Sequence, residues 1–339
     1  MYKYVYLVCL IFIGLVVAYQ ERPVPAQIAP SIKDIELAFE CRREADVLPP
    51  LELDADALYK YGLFLEQQEG FKNFNESAKY YRIAASYGHY KASANLQALI
   101  SQGLASSPEP QRETIDLVEA SIAQGIPGAY YDMGHYLEMG YGVEQDRDKA
   151  NAYFRKAADL GNPDAQFYVA NLLGCVTGAY EVMVAMRRCA ASQGHRRAAA
   201  DLAGLLRVGG EYKEAVQAYQ QGVIAGDAAS ARRLGNAFDG PLSDDNLYYM
   251  ALQPDKERSV RYHKISKFFE DNEQLGPKLP DIDAIVPLPP AELPTWDGSF
   301  QWQKERASKI GPVKPSQDLV KRLSEEKDLD PETGLPQKA

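Results

Sequence analysis

The pattern Gly-x-x-x-Ala recurs as Gly88…Ala92, Gly125…Ala129, Gly161…Ala165 and Gly194…Ala198, with Gly226…Ser230 as a fifth copy. Successive glycines are 37, 36, 33 and 32 residues apart. A period of this length constrains the fold more than any single motif. It fits helix-pair units that bury their apolar faces only by stacking on one another. Aligned on the Ala, with Ala57 opening the first copy, the residue four on is Tyr61, Leu96, Met133, Val169, Leu202 or Leu234. Eight on stand Leu65, Ile100, Leu137, Leu173, Leu206 and Phe238. Both columns are apolar throughout, the i, i+4 stripe of one buried helix face. Between them run Gly62, Gln97, Gly134, Ala170, Ala203 and Gly235, small in five of six copies. Glycine within a helix costs about 1 kcal/mol against alanine, so close packing must favour it there.

Counting back from each closing glycine gives a second helix. Eight residues before it stand Tyr80, Leu117, Tyr153, Met186 and Ala218; four before it, Ala84, Ser121, Ala157, Ala190 and Gly222. The glycine supplies the left-handed cap. Each unit is therefore helix A, turn, helix B, glycine. The expected fold is all-α: a right-handed α-solenoid of about six helix-turn-helix repeats over 55–272, behind a lead-in at 19–54. Asp54 or Asp56 is the expected N-cap of the first helix A, and Asp148 that of helix B in the third repeat.

Residues 273–339 differ in texture, holding ten of the 21 prolines. Prolines 287, 289, 290 and 294 force an extended path. Gln301 to Ala307 reads as one or two helical turns, and Ser316 to Lys327 as an amphipathic helix. Ile282, Ile285, Val286, Leu288, Leu293, Trp296 and Trp302 are too many apolar residues for a linker. The expectation is a cap that packs along the last repeats and covers the open end; a ligand for another protein's aromatic groove is the alternative.

At the other end, Val5 to Ala18 is apolar but short for a membrane span. With small residues at 16 and 18 it reads as a signal peptide cleaved after Ala18, or alternatively as an uncleaved anchor. Either places the remainder outside the cytoplasm. Beyond this segment Cys41, Cys175 and Cys189 remain, enough for one internal disulfide. Cys175 and Cys189 lie too far apart on one helical hairpin to bridge, and both read as small buried residues. Whether Cys41 pairs with either stays open.

A net charge of −10 argues against nucleic acid and against direct docking on anionic lipid. Gly140-Tyr141-Gly142 with Asp146 and Asp148 suggests a phosphate or metal loop, but it falls at the turn between helices A and B. His89 and His195 each follow a closing glycine and read as turn residues. His135 has no second His or Cys beside it, and His263, among Arg261, Tyr262 and Lys264, reads as part of a solvated basic face. With no Gly-x-Ser-x-Gly, His-Glu-x-x-His or Walker loop, no enzyme, metal or cofactor is expected.

A solenoid offers an extended face to other proteins. On helix A the positions opposite the stripe form three variable columns. Tyr59, Tyr131, Phe167 and Arg232 stand in the first, His135 and Asn171 in the second, and Glu138 and Arg207 in the third. These eight are the candidate partner-binding residues, with Tyr59, Tyr131 and Phe167 as aromatic anchors. The competing reading is that the rings only pack between neighbouring helices.

The third copy, "MGHYLEMGYGVEQDRDKANAYFRKAADLGNPDA", resembles the Sel1-like repeat, a relative of the tetratricopeptide repeat. Gly134, Gly140, Gly142, Val143, Asp146, Lys149, Ala150, Ala157, Ala158 and Gly161 match its pattern. Met133 stands in place of Leu and Leu137 in place of Tyr. With the tail motif "DIDAIVPLPPAELPTWDGSFQW", the chain resembles periplasmic immunity proteins paired with type VI secretion phospholipase effectors. The resemblance implies a protein that binds a cognate toxic effector and neutralises it by steric occlusion. A Sel1-like adaptor in envelope signalling or cell-wall remodelling is the rival expectation.

Overall fold

The computed structural model describes residues 37–337 except 69, 71, 246 and 309. The expected signal peptide or membrane anchor at 1–18 lies outside the described residues. Among those described, fourteen α-helices and one isolated β-bridge carry the fold. Twelve helices form six hairpins. The first three are α1 (Leu53–Gln67) with α2 (Phe74–Ser86), α3 (Tyr90–Ser101) with α4 (Pro110–Ala123), and α5 (Pro127–Met139) with α6 (Arg147–Asp159). The others are α7 (Pro163–Leu173) with α8 (Tyr180–Ser192), α9 (Arg196–Val208) with α10 (Tyr212–Ile224), and α11 (Ala228–Phe238) with α12 (Lys256–Asp271). Each hairpin closes on itself and stacks on the next, an all-α solenoid.

Both stripe columns are buried from the second repeat to the sixth. In the first, Tyr61 and Leu65 are only partly covered and Ala57 is exposed, because no helix B precedes α1. The small column has a definite use. A Cβ on Gly62 would lie 2.8 Å from the Tyr81 ring, on Gly134 2.5 Å from Phe154, and on Gly235 2.9 Å from His263. In these three hairpins a ring on helix B lies against the bare backbone of helix A. His263 is therefore a packing residue, and its neighbour Tyr262 is fully buried, which overturns the solvated basic face.

The five closing glycines all have positive φ, between 76° and 105°. The residue after the glycine caps the next helix A in four cases: His89, Asn162, His195 and Asp227 each accept from the backbone N–H three residues on. The two histidines are thus N-caps through Nδ1, not idle turn residues. Two other caps also differ from expectation. Glu52 caps α1, accepting from Ala55 N at 2.7 Å, while Asp54 and Asp56 pair with Arg322 and Lys60. Asp146 rather than Asp148 caps α6, because it holds the extended backbone the capping position needs.

The lead-in runs across the third and fourth repeats. Cys41 is disulfide-bonded to Cys189 of α8, which is buried as expected, whereas Cys175 is exposed, against the expectation of a buried residue. Gln166 donates to Arg42 O at 3.0 Å and Gln193 accepts from Glu44 N at 2.8 Å. Gly161 lies directly beneath, where a Cβ would be 2.7 Å from Arg43 C and Glu44 N.

The tail covers more than the end it follows. Ile282, Ile285, Val286 and Phe300 join the core of the last two repeats, and Phe300 stacks on Phe268 with ring centres 4.0 Å apart. Two buried arginines of α12 hold its carbonyls. Arg261 donates to Ile285 O (2.7 Å) and Pro294 O (2.8 Å), and Arg258 to Pro287 O and Ala291 O. After α13 (Gln301–Ser308), the chain passes Phe64 at Gly311 and enters α14 (Gln317–Glu325). Val320, Leu323 and Leu329 complete the core of the first repeat. Arg82 donates to Thr333 O at 3.1 Å, and Arg322 pairs with Asp54 at 2.7 Å. One segment therefore seals both ends of the array.

Candidate protein-binding face on the helix A row

Two adjoining cavities line the helix A row, sharing Tyr131 and Asp164. The first, about 430 Å³, is walled by Glu44 and Leu48 of the lead-in, Tyr59 of α1, Tyr90, Lys91 and Asn95 of α3, and Tyr131 and Asp132 of α5. The second, about 820 Å³, includes Phe167, Tyr168 and Asn171 of α7, His195 to Arg197 of α9, and Pro277 and Lys278 of the tail.

Of the eight expected residues, Tyr59, Tyr131, Phe167 and Asn171 line these cavities. His135 and Glu138 sit beside Tyr131 in one ring cluster. The His135 ring is 4.6 Å from Tyr131, 4.8 Å from Phe154 and 5.5 Å from Tyr168. Glu138 accepts from Tyr168 Oη at 3.1 Å and lies 3.3 Å from His135 Nδ1. Arg207, half-buried near the end of α9, and Arg232, paired with Glu270 at 3.0 Å, line neither cavity. The structure does not bring those two together with the rest.

The rings pack between helices and also line the cavities. Tyr131 contacts Phe154 and is half-buried, yet it also separates the two cavities. Phe167 lies 4.6 Å from the His195 ring, whose Nε2 is 3.3 Å from Asp164. Asn171 is held by Arg187 at 2.9 Å. Sequence reasoning missed Phe154, Tyr168, Asp132 and Glu44. The glycine at 134 was the available signal for Phe154, since a bare helix position demands a large partner.

Electrostatically the first cavity is acidic. Burial, then repulsion from Asp164 and Glu44, raises the Asp132 carboxyl to about 7. Burial also raises Glu44, partly offset by the hydrogen bond from Asn162. Burial next to Asp164, Asp132 and Glu138 pushes the Tyr131 phenol up to about 12. Among the described residues no group of His, Cys, Asp or Glu is placed to hold a metal ion, and no helix is long and apolar enough to cross a membrane.

Hairpins of this kind, repeated with a glycine cap, define a helix-pair solenoid, and two of the six carry the Sel1 repeat. The Sel1 repeat model matches residues 55–89 and 127–162, and residues 230–337 match a domain of unknown function, DUF6396. The second match unites the last hairpin with the tail that closes the array. Two solved structures are similar over most of their length. Immunity protein PA5088 of Pseudomonas aeruginosa aligns with a TM-score of 0.59 and 26% identity, covering 74% of this chain and 94% of that one. Immunity protein PA5087 of the same species aligns at 0.57 and 28%, covering 75% and 95%. No curated protein matches significantly.

Proposed function

We propose that this protein is an immunity protein that binds a secreted phospholipase effector in the periplasm and blocks it sterically, over its active-site mouth or membrane-docking face. The observation that carries the reading is the near-complete alignment with immunity proteins PA5088 and PA5087. The Sel1 solenoid supplies a rigid protein-binding scaffold, and the helix A row presents tyrosines, Phe167 and charged groups around two cavities, a composition suited to protein recognition. The Cys41–Cys189 bond and the apolar residues 5–18 fit an oxidising compartment outside the cytoplasm.

Co-expression with a lipase-like effector from the neighbouring gene, exported to the periplasm, tests the reading. Protection from lysis and co-elution of the two proteins are expected. Continued lysis with no complex would sink it. Tyr131→Ala with His135→Ala is a poor surface probe, because both rings pack near Phe154. Arg196→Glu with Arg197→Glu, at exposed positions lining the second cavity, should weaken the complex while leaving the melting temperature unchanged.

A further inference from the structure

The first cavity contains a carboxylate without a partner. Asp132 faces the space with no hydrogen bond or ion pair among the described residues, whereas the other two acids are held. Glu44 Oε1 accepts from Asn162 at 3.0 Å, and Asp164 lies 3.3 Å from His195. Lys91 is the cation among the lining residues, and it is exposed, its Nζ 5.9 Å from the centre of the Tyr90 ring. Three tyrosines complete the wall. A half-buried carboxylate facing two more acids lowers stability unless something positive enters.

We infer that this cavity receives a guanidinium group, an arginine side chain presented by the partner protein, which donates to Asp132 and lies against the rings of Tyr59, Tyr90 and Tyr131. The guanidinium is planar, stacks on aromatic faces and donates two parallel hydrogen bonds to a carboxylate. A lysine ammonium is compact and strongly hydrated, so it gains less from a ring-walled site. The volume of about 430 Å³ accommodates the head group and part of its aliphatic stem. The lead-in takes part by supplying Glu44, and α7 by supplying Asp164. The inference rests on the protein-binding reading and states what chemistry that partner must offer.

The test uses the free protein from residue 19 onward, with tyrosine rings isotopically labelled and observed by NMR. Acetyl-arginine amide should shift the ring signals of Tyr59, Tyr90 and Tyr131 saturably. The citrulline analogue, equal in shape but uncharged, should bind at least tenfold more weakly. Asp132→Asn should weaken arginine binding at least tenfold with a melting temperature at or above that of the parent, and Asp132→Glu should restore part of it. Equal binding of the two compounds, or undiminished binding to Asp132→Asn, overturns the inference. Because no effector is present, this failure is distinct from a failure of protection in cells.

Discussion

The lead-in and the tail both lie across the repeats, but they are held by different physics. No side chain of the lead-in, residues 38–48, is buried. A disulfide, backbone groups met by Gln166 and Gln193, and a glycine that lets the chain come close keep it in place. The tail supplies apolar side chains to both end cores, each worth roughly 1.5–3 kcal/mol when fully buried. Its carbonyls are satisfied by buried arginines. A polar strand needs a covalent tie to stay ordered, whereas an apolar one stabilises the array it covers. The solenoid's open ends are therefore the tail's responsibility, and the lead-in instead shapes a surface.

The contrast breaks most sharply at Arg82. This buried side chain pairs with Glu113 at 2.6 Å and donates to Ser106 O and Thr333 O, tying the tail's last turn to α2. Arg82→Ala leaves those acceptors unmet and should cost about 3–5 kcal/mol. Urea unfolding followed by circular dichroism measures it, and a loss below about 1 kcal/mol would mean the tail does not depend on this anchor. Cys41→Ser comes next, at about 2–4 kcal/mol from the loop-closure term. Limited proteolysis should then cut within residues 38–48 while the tail stays protected, and reduction of the parent should reproduce the pattern. Cleavage of the tail first would reverse the assignment.

Much of the fold was legible because a solenoid repeats its demands. Leu96, Met133, Val169, Leu202 and Leu234 stand at one recurring position and are all buried. The tail's second anchorage was not legible. Leu323 meets the first repeat more than two hundred residues away, and such pairing leaves no periodicity to count. The Cys41–Cys189 bond was hidden for the same reason, since spacing within a hairpin says nothing of a strand crossing two repeats. In the candidate site, the column rule reached Tyr59, Tyr131, His135, Glu138, Phe167 and Asn171, which share cavities or ring contacts. It also delivered Arg207 and Arg232, which do not, because a column fixes a helix face but not where along the array a partner docks. Asp132 was invisible to it, since the groups that perturb it come from the lead-in and α7.

Gly161 sharpens the comparison at the backbone level. Gly161 and Gly194 both adopt left-handed φ, 105° and 84°, so alanine at either should cost about 1–2 kcal/mol in backbone strain. At Gly194 a Cβ meets nothing within 4 Å, whereas at Gly161 it meets the lead-in backbone at 2.7 Å. Gly161→Ala should therefore cost about 1–3 kcal/mol more than Gly194→Ala through overpacking. In the Cys41→Ser background, where the lead-in can move aside, the excess should vanish. If it persists, the contact with the lead-in is not its source.

The smallest expected effect links the lead-in to the surface it shapes. The folded Asp132 carboxyl is raised to about 7 by burial and then by Asp164 and Glu44, against roughly 4 in an unfolded chain. The folded state then binds the proton more tightly, so its stabilisation is lost as pH rises from about 4 to 7 and stays lost above. Allowing for partial exposure, the slope amounts to about 1–2 kcal/mol across that window. Asp132→Asn should flatten it, measured as melting temperature against pH, and leave the protein more stable than its parent at pH 8. Other carboxyls contribute their own slopes, so the informative quantity is the difference between variant and parent. In Cys41→Ser the release of Glu44 removes one repelling charge and admits water, and the Asp132 midpoint should fall. An unchanged midpoint there would show that α5 and α7 alone create the acidic cavity, and that the lead-in is only a tether.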